Sequence, residues 1–161
     1  MGIEIGVDPS TAMLLFAKRR GIQTLRAVGE HLPFRGRCFD YVLLAGTLCF
    51  LDNPAMTLKE AQDVLKADGS LIVCEVPKDS VWGKAIEEKG KKGHRFYSRA
   101  KLHTVQELHR LLEDARFRLV DSIGTLSFSP LELERAEDPT YSLEGMSFVC
   151  LRAKVRRSSL H

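Results

Sequence analysis

Phe39-Asp40-Tyr41-Val42-Leu43-Leu44-Ala45-Gly46-Thr47-Leu48 is almost continuously apolar. Ten such residues read as a strand buried on both faces, which a parallel sheet flanked by helices requires. The uncharged run continues from Tyr41 to Leu51, 11 residues in all. That is far short of the roughly 20 that cross a bilayer. One buried strand implies partners of the same kind, and the flanking sequence supplies them.

On the C-terminal side, Asp52-Asn53-Pro54 is a helix start, with Pro tolerated in the first turn. The apolar face is Ala55, Leu58, Ala61, Val64 and Leu65, and the helix is predicted to end at Asp68-Gly69. Leu71 to Val76 is another buried strand, stopped by Pro77. On the N-terminal side, Ile3, Ile5 and Val7 open a short strand ending in Asp8-Pro9-Ser10, where Asp or Ser signals a helix N-cap. Met13, Leu14, Phe16 and Ala17 lie near helical spacing, and Lys18-Arg19-Arg20-Gly21 closes that helix with cations and a glycine. Gln23 to Val28 reads as a strand and Gly29 to Arg37 as a loop.

Further on, Lys78 to Ala100 is a polar, glycine-containing excursion with a short helix in it. Thr104 and Glu107 form a capping box for a helix whose face is Val105, Leu108, Leu111, Leu112 and Ala115. Phe117 to Ile123 is a strand, Ser127 to Tyr141 an irregular acidic connection, and Met146 to Ala153 a last strand. Alternating strands and helices imply a largely parallel sheet with right-handed crossovers. The final pair, with no helix between them, is expected to be antiparallel. At 161 residues the chain suits one domain, 1–154, followed by a basic tail, 155–161.

Net charge is +3, too small to argue for nucleic acid. Seven Lys/Arg against Glu87 and Glu88 fall between Lys84 and Lys101. They read either as solvated surface or as a cationic lid over an anionic substrate. The N-terminal segment lacks a basic n-region and a long apolar h-region, so a signal peptide is not expected and the cytoplasm is the default. No nucleic-acid or membrane partner is expected. The four cysteines form no CxxC pair, so no metal site is expected. Cys49, Cys74 and Cys150 lie in apolar runs and are expected as reduced, buried thiols.

Ligands bind such open sheets at the carboxyl ends of the strands. The loops there are those after Val7, Val28, Leu44 and Val76, and they carry familiar residues. Gly6-Val7-Asp8-Pro9-Ser10, Gly29-Glu30-His31-Leu32-Pro33-Phe34, Phe39-Asp40-Tyr41-Val42 with Leu48 to Pro54, and Leu65-Lys66-Ala67-Asp68-Gly69-Ser70-Leu71-Ile72-Val73 stand in one order. In that order they resemble the class I S-adenosylmethionine-dependent methyltransferases, in particular the small-molecule type of quinone and related biosynthesis. Glu107-Leu108 through Ala115-Arg116-Phe117 also resembles that family, with Arg116 where glycine is usual. The resemblance covers residues 6 to 126 and implies a Rossmann-like, doubly wound α/β fold with an antiparallel C-terminal strand.

It implies roles as well. Asp8, at a strand tip, would accept the ribose hydroxyls of S-adenosylmethionine, unless it is a plain N-cap. Gly29 and Glu30 would lie against the adenine edge and Leu32 would stack on it; Val28 stands where the family usually has an acid. Ala45 and Gly46 would let the methionine moiety pass, or would serve strand packing alone. The family's glycine-rich first loop has no counterpart, and the strand before it, central in the fold between the second and fourth, is missing. Weak or absent cofactor binding follows.

A folded chain then needs a remedy, because buried backbone groups must find partners. The second strand could pair with the fourth, the open edge could form a homodimer, or the sequence could be a truncation of a longer frame. The family's loop histidine is replaced by Cys49 and Phe50, which leaves His94 and Tyr97 as weak catalytic candidates and Cys49 as a weaker one. The expected function is methyl transfer to an unidentified small molecule, or the remnant of that activity in a truncated, inactive chain. The alternative is a non-catalytic methyltransferase-like protein used for partner binding or self-association.

Overall fold

The computed structural model describes residues 2–132 and 136–156. The expected tail, 155–161, is therefore described only at Val155, which ends the last strand, and at Arg156. Met1 also lies outside the described residues. The elements are β1 (Ile5–Val7), α1 (Thr11–Arg19), β2 (Gln23–Leu25), β3 (Phe39–Ala45), α2 (Pro54–Val64), β4 (Leu65–Glu75), α3 (Val81–Lys91), α4 (Val105–Asp114), β5 (Phe117–Thr125) and β6 (Phe148–Val155). Two 3-10 turns, Leu48–Phe50 and Tyr97–Arg99, complete them.

Helix starts follow the local chemistry. Ser10 is the cap of α1, and its hydroxyl accepts from Met13 N–H. Asn53 caps α2 through Met56 N–H, with Pro54 in the first turn. Ser80 caps α3 through Gly83 N–H. Thr104 and Glu107 make the reciprocal capping box of α4. At the end of α1, Gly21 takes a φ of +80°, the left-handed stop expected there.

The strands fall into two sheets. β1 and β2 pair in parallel, and β3-β4-β6-β5 form the second sheet. In that sheet β3 and β4 are parallel, while β6 runs antiparallel to both β4 and β5. Thus β3, β4 and β5 run one way and the C-terminal strand the other, the α/β arrangement expected. The sheets are not hydrogen-bonded to each other among the described residues, so pairing of the second strand with the fourth is not the remedy this chain uses. One edge of β1 and one edge of β3 are left unpaired.

A single core explains most of the packing. Leu44, Leu71, Val73, Val149, Leu151 and Ala153 point to one face of the four-stranded sheet. Leu58 and Ala61 of α2, and Leu108 and Leu112 of α4, cover them. Burying each such side chain contributes about 1.5–3 kcal/mol.

The opposite face corrects one expectation. β3 is not buried on both faces: Tyr41 is 42% and Leu43 44% exposed. It is an edge strand, and α2 and α4 cover only the Leu44 side. Ala55 is likewise exposed, and its expected place on the α2 core face is taken by Thr57.

A second correction concerns α2, which ends at Val64 rather than at Asp68-Gly69. Leu65 already pairs with Phe39, and the ladder resumes at Tyr41 and Ser70, so residues 66–69 bulge out between the two pairings. Gly69 sits inside that bulge, where a Cβ would lie 3.0 Å from the Phe39 carbonyl oxygen.

A third correction concerns cysteine. Cys74 and Cys150 are not reduced thiols but a disulfide. They are directly opposed in the β4–β6 ladder, with Cα atoms 4.1 Å apart. That separation is near the close, non-hydrogen-bonded cross-strand spacing. Cys49 is a buried free thiol, as expected, and Cys38 an exposed one.

Candidate active site

All four loops singled out from the sequence follow the carboxyl ends of strands that have a parallel partner. Asp8 follows β1 and donates its backbone N–H to the Leu25 carbonyl at 3.3 Å. Its Oδ1 accepts from Ser10 N–H at 2.7 Å, a turn that leaves the capping of α1 to Ser10. Oδ2 has no partner among the described residues.

The Gly29–Leu32 loop is docked on α2. Gly29 presses so closely that a Cβ there would lie 2.9 Å from Thr57 Cγ2, so glycine serves helix contact at this position. Thr57 itself is 1% exposed, and its hydroxyl has no hydrogen-bond partner among the described residues. Glu30 Oε1 accepts from Asn53 N–H at 3.4 Å, and Leu32 N–H donates to Glu60 Oε2 at 2.7 Å. The loop after β2 and the start of α2 are therefore one connected unit.

Ala45 ends β3 and Gly46 follows with a φ of +58°. Gly46 N–H is fixed on the Cys74 carbonyl at 2.8 Å, and a Cβ on Gly46 would meet no atom within 4 Å. The left-handed backbone, and not crowding, calls for glycine there, and the space above it is open.

Sequence reading missed the residue that organises the next turn. Glu75, at the end of β4, is 3% exposed. Its Oε1 accepts from Thr47 N–H at 2.9 Å and Leu48 N–H at 2.8 Å. Burial raises the Glu75 carboxyl above the usual carboxylate range, and those hydrogen bonds pull the other way. The available signal was a lone acid inside the apolar run Leu71-Ile72-Val73-Cys74-Glu75-Val76. Cys49 lies beside it, and burial together with the Glu75 charge pushes that thiol up to about 12. A thiol so protonated is no nucleophile at neutral pH.

The excursion after β4 is tied at both ends. Lys78 N–H donates to the His103 carbonyl at 2.8 Å, and Lys101 N–H to the Cys49 carbonyl at 2.7 Å. Trp82 Nε1 donates to the Phe128 carbonyl at 2.9 Å. A cleft of about 500 Å³ opens between Phe50–Asp52 and Ser98–Lys101. His94 stacks on Tyr97 with ring centroids 4.4 Å apart, and its Nδ1 accepts from the Phe96 and Tyr97 N–H groups. Both rings lie outside the lining of that cleft. Among the described residues, no group of three His, Cys, Asp or Glu side chains could hold a metal ion. No described helix is long and apolar enough to cross a membrane.

Comparison with known proteins gives this geometry a family. A profile described as a methyltransferase domain matches residues 2–73. An uncharacterized protein of Methanocaldococcus jannaschii is 37% identical over 152 residues, 94% of this chain and 73% of that protein. An uncharacterized protein of Mycobacterium tuberculosis is 35% identical over 157 residues, 95% of this chain and 54% of its own length. The chain thus spans about half the length of that relative.

The crystal structure of a SAM-dependent methyltransferase from Thermotoga maritima, described as a possible histamine N-methyltransferase, matches with a TM-score of 0.90. The two are 35% identical over 96% of this chain and 73% of that one. With the loops at the strand ends and the antiparallel last strand, these similarities mean that this chain belongs to the class I S-adenosylmethionine-dependent methyltransferases.

Proposed function

We propose that the chain carries the greater part of a site for methyl transfer from S-adenosylmethionine to a small molecule in the cytoplasm, and that alone it binds the cofactor weakly. The observation that supports this is the common position of Asp8, Gly29–Glu30 and Ala45–Gly46 at the carboxyl ends of β1, β2 and β3. The residues fit the cofactor in two respects. Asp8 keeps one carboxylate oxygen for the ribose hydroxyls. The open space at Gly46 admits the methionine end.

Bound there, S-adenosylmethionine supplies an electrophilic methyl group on a sulfonium. The chain's own contribution is to hold and orient, since in-line transfer gains most from proximity. Glu30 and Leu32 fix the adenine-side loop against α2, and Glu75 fixes the turn that follows Gly46. The weakness follows from the unpaired edges of β1 and β3, which leave the site without a wall between them. Titration with S-adenosylhomocysteine tests the reading. Saturable shifts of the Asp8, Glu30 and Gly46 amides in the millimolar range are expected; no shift there overturns it.

One observation favours the second reading, self-association without catalysis. α1 buries no residue, Met13, Leu15 and Phe16 are 55%, 54% and 59% exposed, and the β1–β2 sheet it joins has unpaired edges. Apolar side chains next to unpaired backbone are a template for association. The solution mass decides: a dimer supports this reading, and a monomer with intact fold ends it.

A further inference from the structure

We infer that the methyl acceptor is a small anion, with its acid group held by Arg99 and Lys101 and its apolar body against Phe50. This rests on the methyl-transfer reading and adds the chemical class of the substrate. The cleft of about 500 Å³ between Phe50–Asp52 and Ser98–Lys101 has the size of a small-molecule site. Its position suits an acceptor. Cys49 lies next to Leu48, whose N–H is fixed by Glu75, and the Cys49 carbonyl in turn holds Lys101 N–H. Asp52 adjoins Asn53, whose N–H is held by Glu30. One wall of the cleft, Phe50–Asp52, therefore lies in the chain between the turn that Glu75 holds and the α2 start that Glu30 holds.

Its charge is uneven. Two of its side chains are cations and one, Asp52, is an anion. Two other cations of the same excursion are paired, Lys78 at 3.8 Å from Glu87 and Lys92 at 2.6 Å from Glu88, but neither lines the cleft. Arg99 and Lys101 have no ion-pair partner among the described residues, and neither pairs with Asp52. Cations left unpaired at the mouth of a cleft raise the local concentration of anions. The guanidinium of Arg99 can also grip a carboxylate through two parallel N–H groups.

Both are anchored through the backbone, Arg99 N–H on the Phe96 carbonyl at 3.1 Å and Lys101 N–H on the Cys49 carbonyl at 2.7 Å, so their Cα positions at the cleft are fixed. Phe50, 49% exposed, lines the same cleft and offers apolar surface. An amine such as histamine, named for the Thermotoga maritima relative, would bring its ammonium group to two like charges.

A matched pair of probes tests this. Imidazole-4-acetate and histamine share one ring and differ in the charge of the side chain at about pH 8, where the ring is neutral. Each is titrated into the isotope-labelled full chain, and the amide shifts of Phe50, Leu51, Ser98 and Lys101 are followed. The expected result is saturable binding of imidazole-4-acetate at least about fivefold tighter than histamine, weakening as salt is added. Arg99→Gln with Lys101→Gln, both at exposed positions, should remove that preference and leave the rest of the spectrum in place.

Histamine binding as tightly, or no shift at the cleft with either probe, overturns the inference. The cofactor reading is judged separately, by S-adenosylhomocysteine at Asp8, Glu30 and Gly46. Cofactor shifts without cleft shifts sink only the anionic acceptor. Cleft shifts without cofactor shifts leave an anion site and sink methyl transfer.

Discussion

Leu48 donates its backbone N–H to the Glu75 carboxylate at 2.8 Å, 27 residues further along the chain. Thr47 donates to the same oxygen, so one buried acid holds the whole turn between β3 and α2. An arrangement of this kind is costly to break, because each orphaned buried N–H costs about 1–3 kcal/mol.

Glu75→Ala should therefore destabilise the chain by about 2–3 kcal/mol. Glu75→Gln, which keeps an acceptor oxygen, should cost clearly less. The pH dependence separates the charge from the hydrogen bond. Burial raises the folded-state value of Glu75 above its unfolded one. Its contribution is then fully present below the unfolded value and is lost as pH rises through the folded one. Urea denaturation across the range above about pH 4.5 should show that decline in the parent and a flatter profile in Glu75→Gln. Equal slopes in both proteins would refute it.

Cys74 and Cys150 close a loop with a sequence separation of 76. On the chain-entropy account, opening such a loop costs about 4 kcal/mol. Denaturation with and without dithiothreitol should differ by about that amount, and Cys150→Ser should be insensitive to the reductant. A parent protein whose midpoint ignores dithiothreitol would mean the two sulfurs are not joined.

The other two cysteines should part company in an alkylation experiment. Cys38 is exposed, while Cys49 is buried, with its thiol held up near 12. Iodoacetamide at about pH 8 should add one group to the native protein, at Cys38. Modification of Cys49 at a comparable rate would show that the turn above Glu75 opens readily.

Local chemistry was legible in the sequence wherever a few neighbouring residues decide the outcome. Thr104 with Glu107, Asn53 with Pro54, and Gly21 after Lys18-Arg19-Arg20 each mark a helix end by groups within four residues of one another. The order of strands and helices was legible for the same reason, and the family resemblance extended it to the loops. What escaped was decided by distant partners. Leu65 leaves its helix because Phe39 offers a ladder position. Tyr41 and Leu43 stay exposed because no helix covers that side of an edge strand, and apolar composition alone does not record which side is covered.

Cys74 and Cys150 meet only through the register of β4 on β6. Of the proposed site, the positions of Asp8, Gly29 and Gly46 after strands were legible in the sequence. The acid that fixes the turn could not, because Glu75 looked like one more residue of a buried strand. The cleft, formed by residues some fifty positions apart, carries no pattern a linear reading could detect.

The register of β4 also bears on how the molecule opens. β4 is laddered on both sides, to β3 and to β6, and is cross-linked to β6. β1 and β2 have only each other, and α1 beside them buries no residue. Amide protons of Leu71 to Glu75 should therefore exchange only in global unfolding, while those of Ile5 to Leu25 exchange through a smaller, local opening. Stability is graded along the chain, so the β1–α1–β2 unit that holds Asp8 is the part most readily remodelled by whatever binds it.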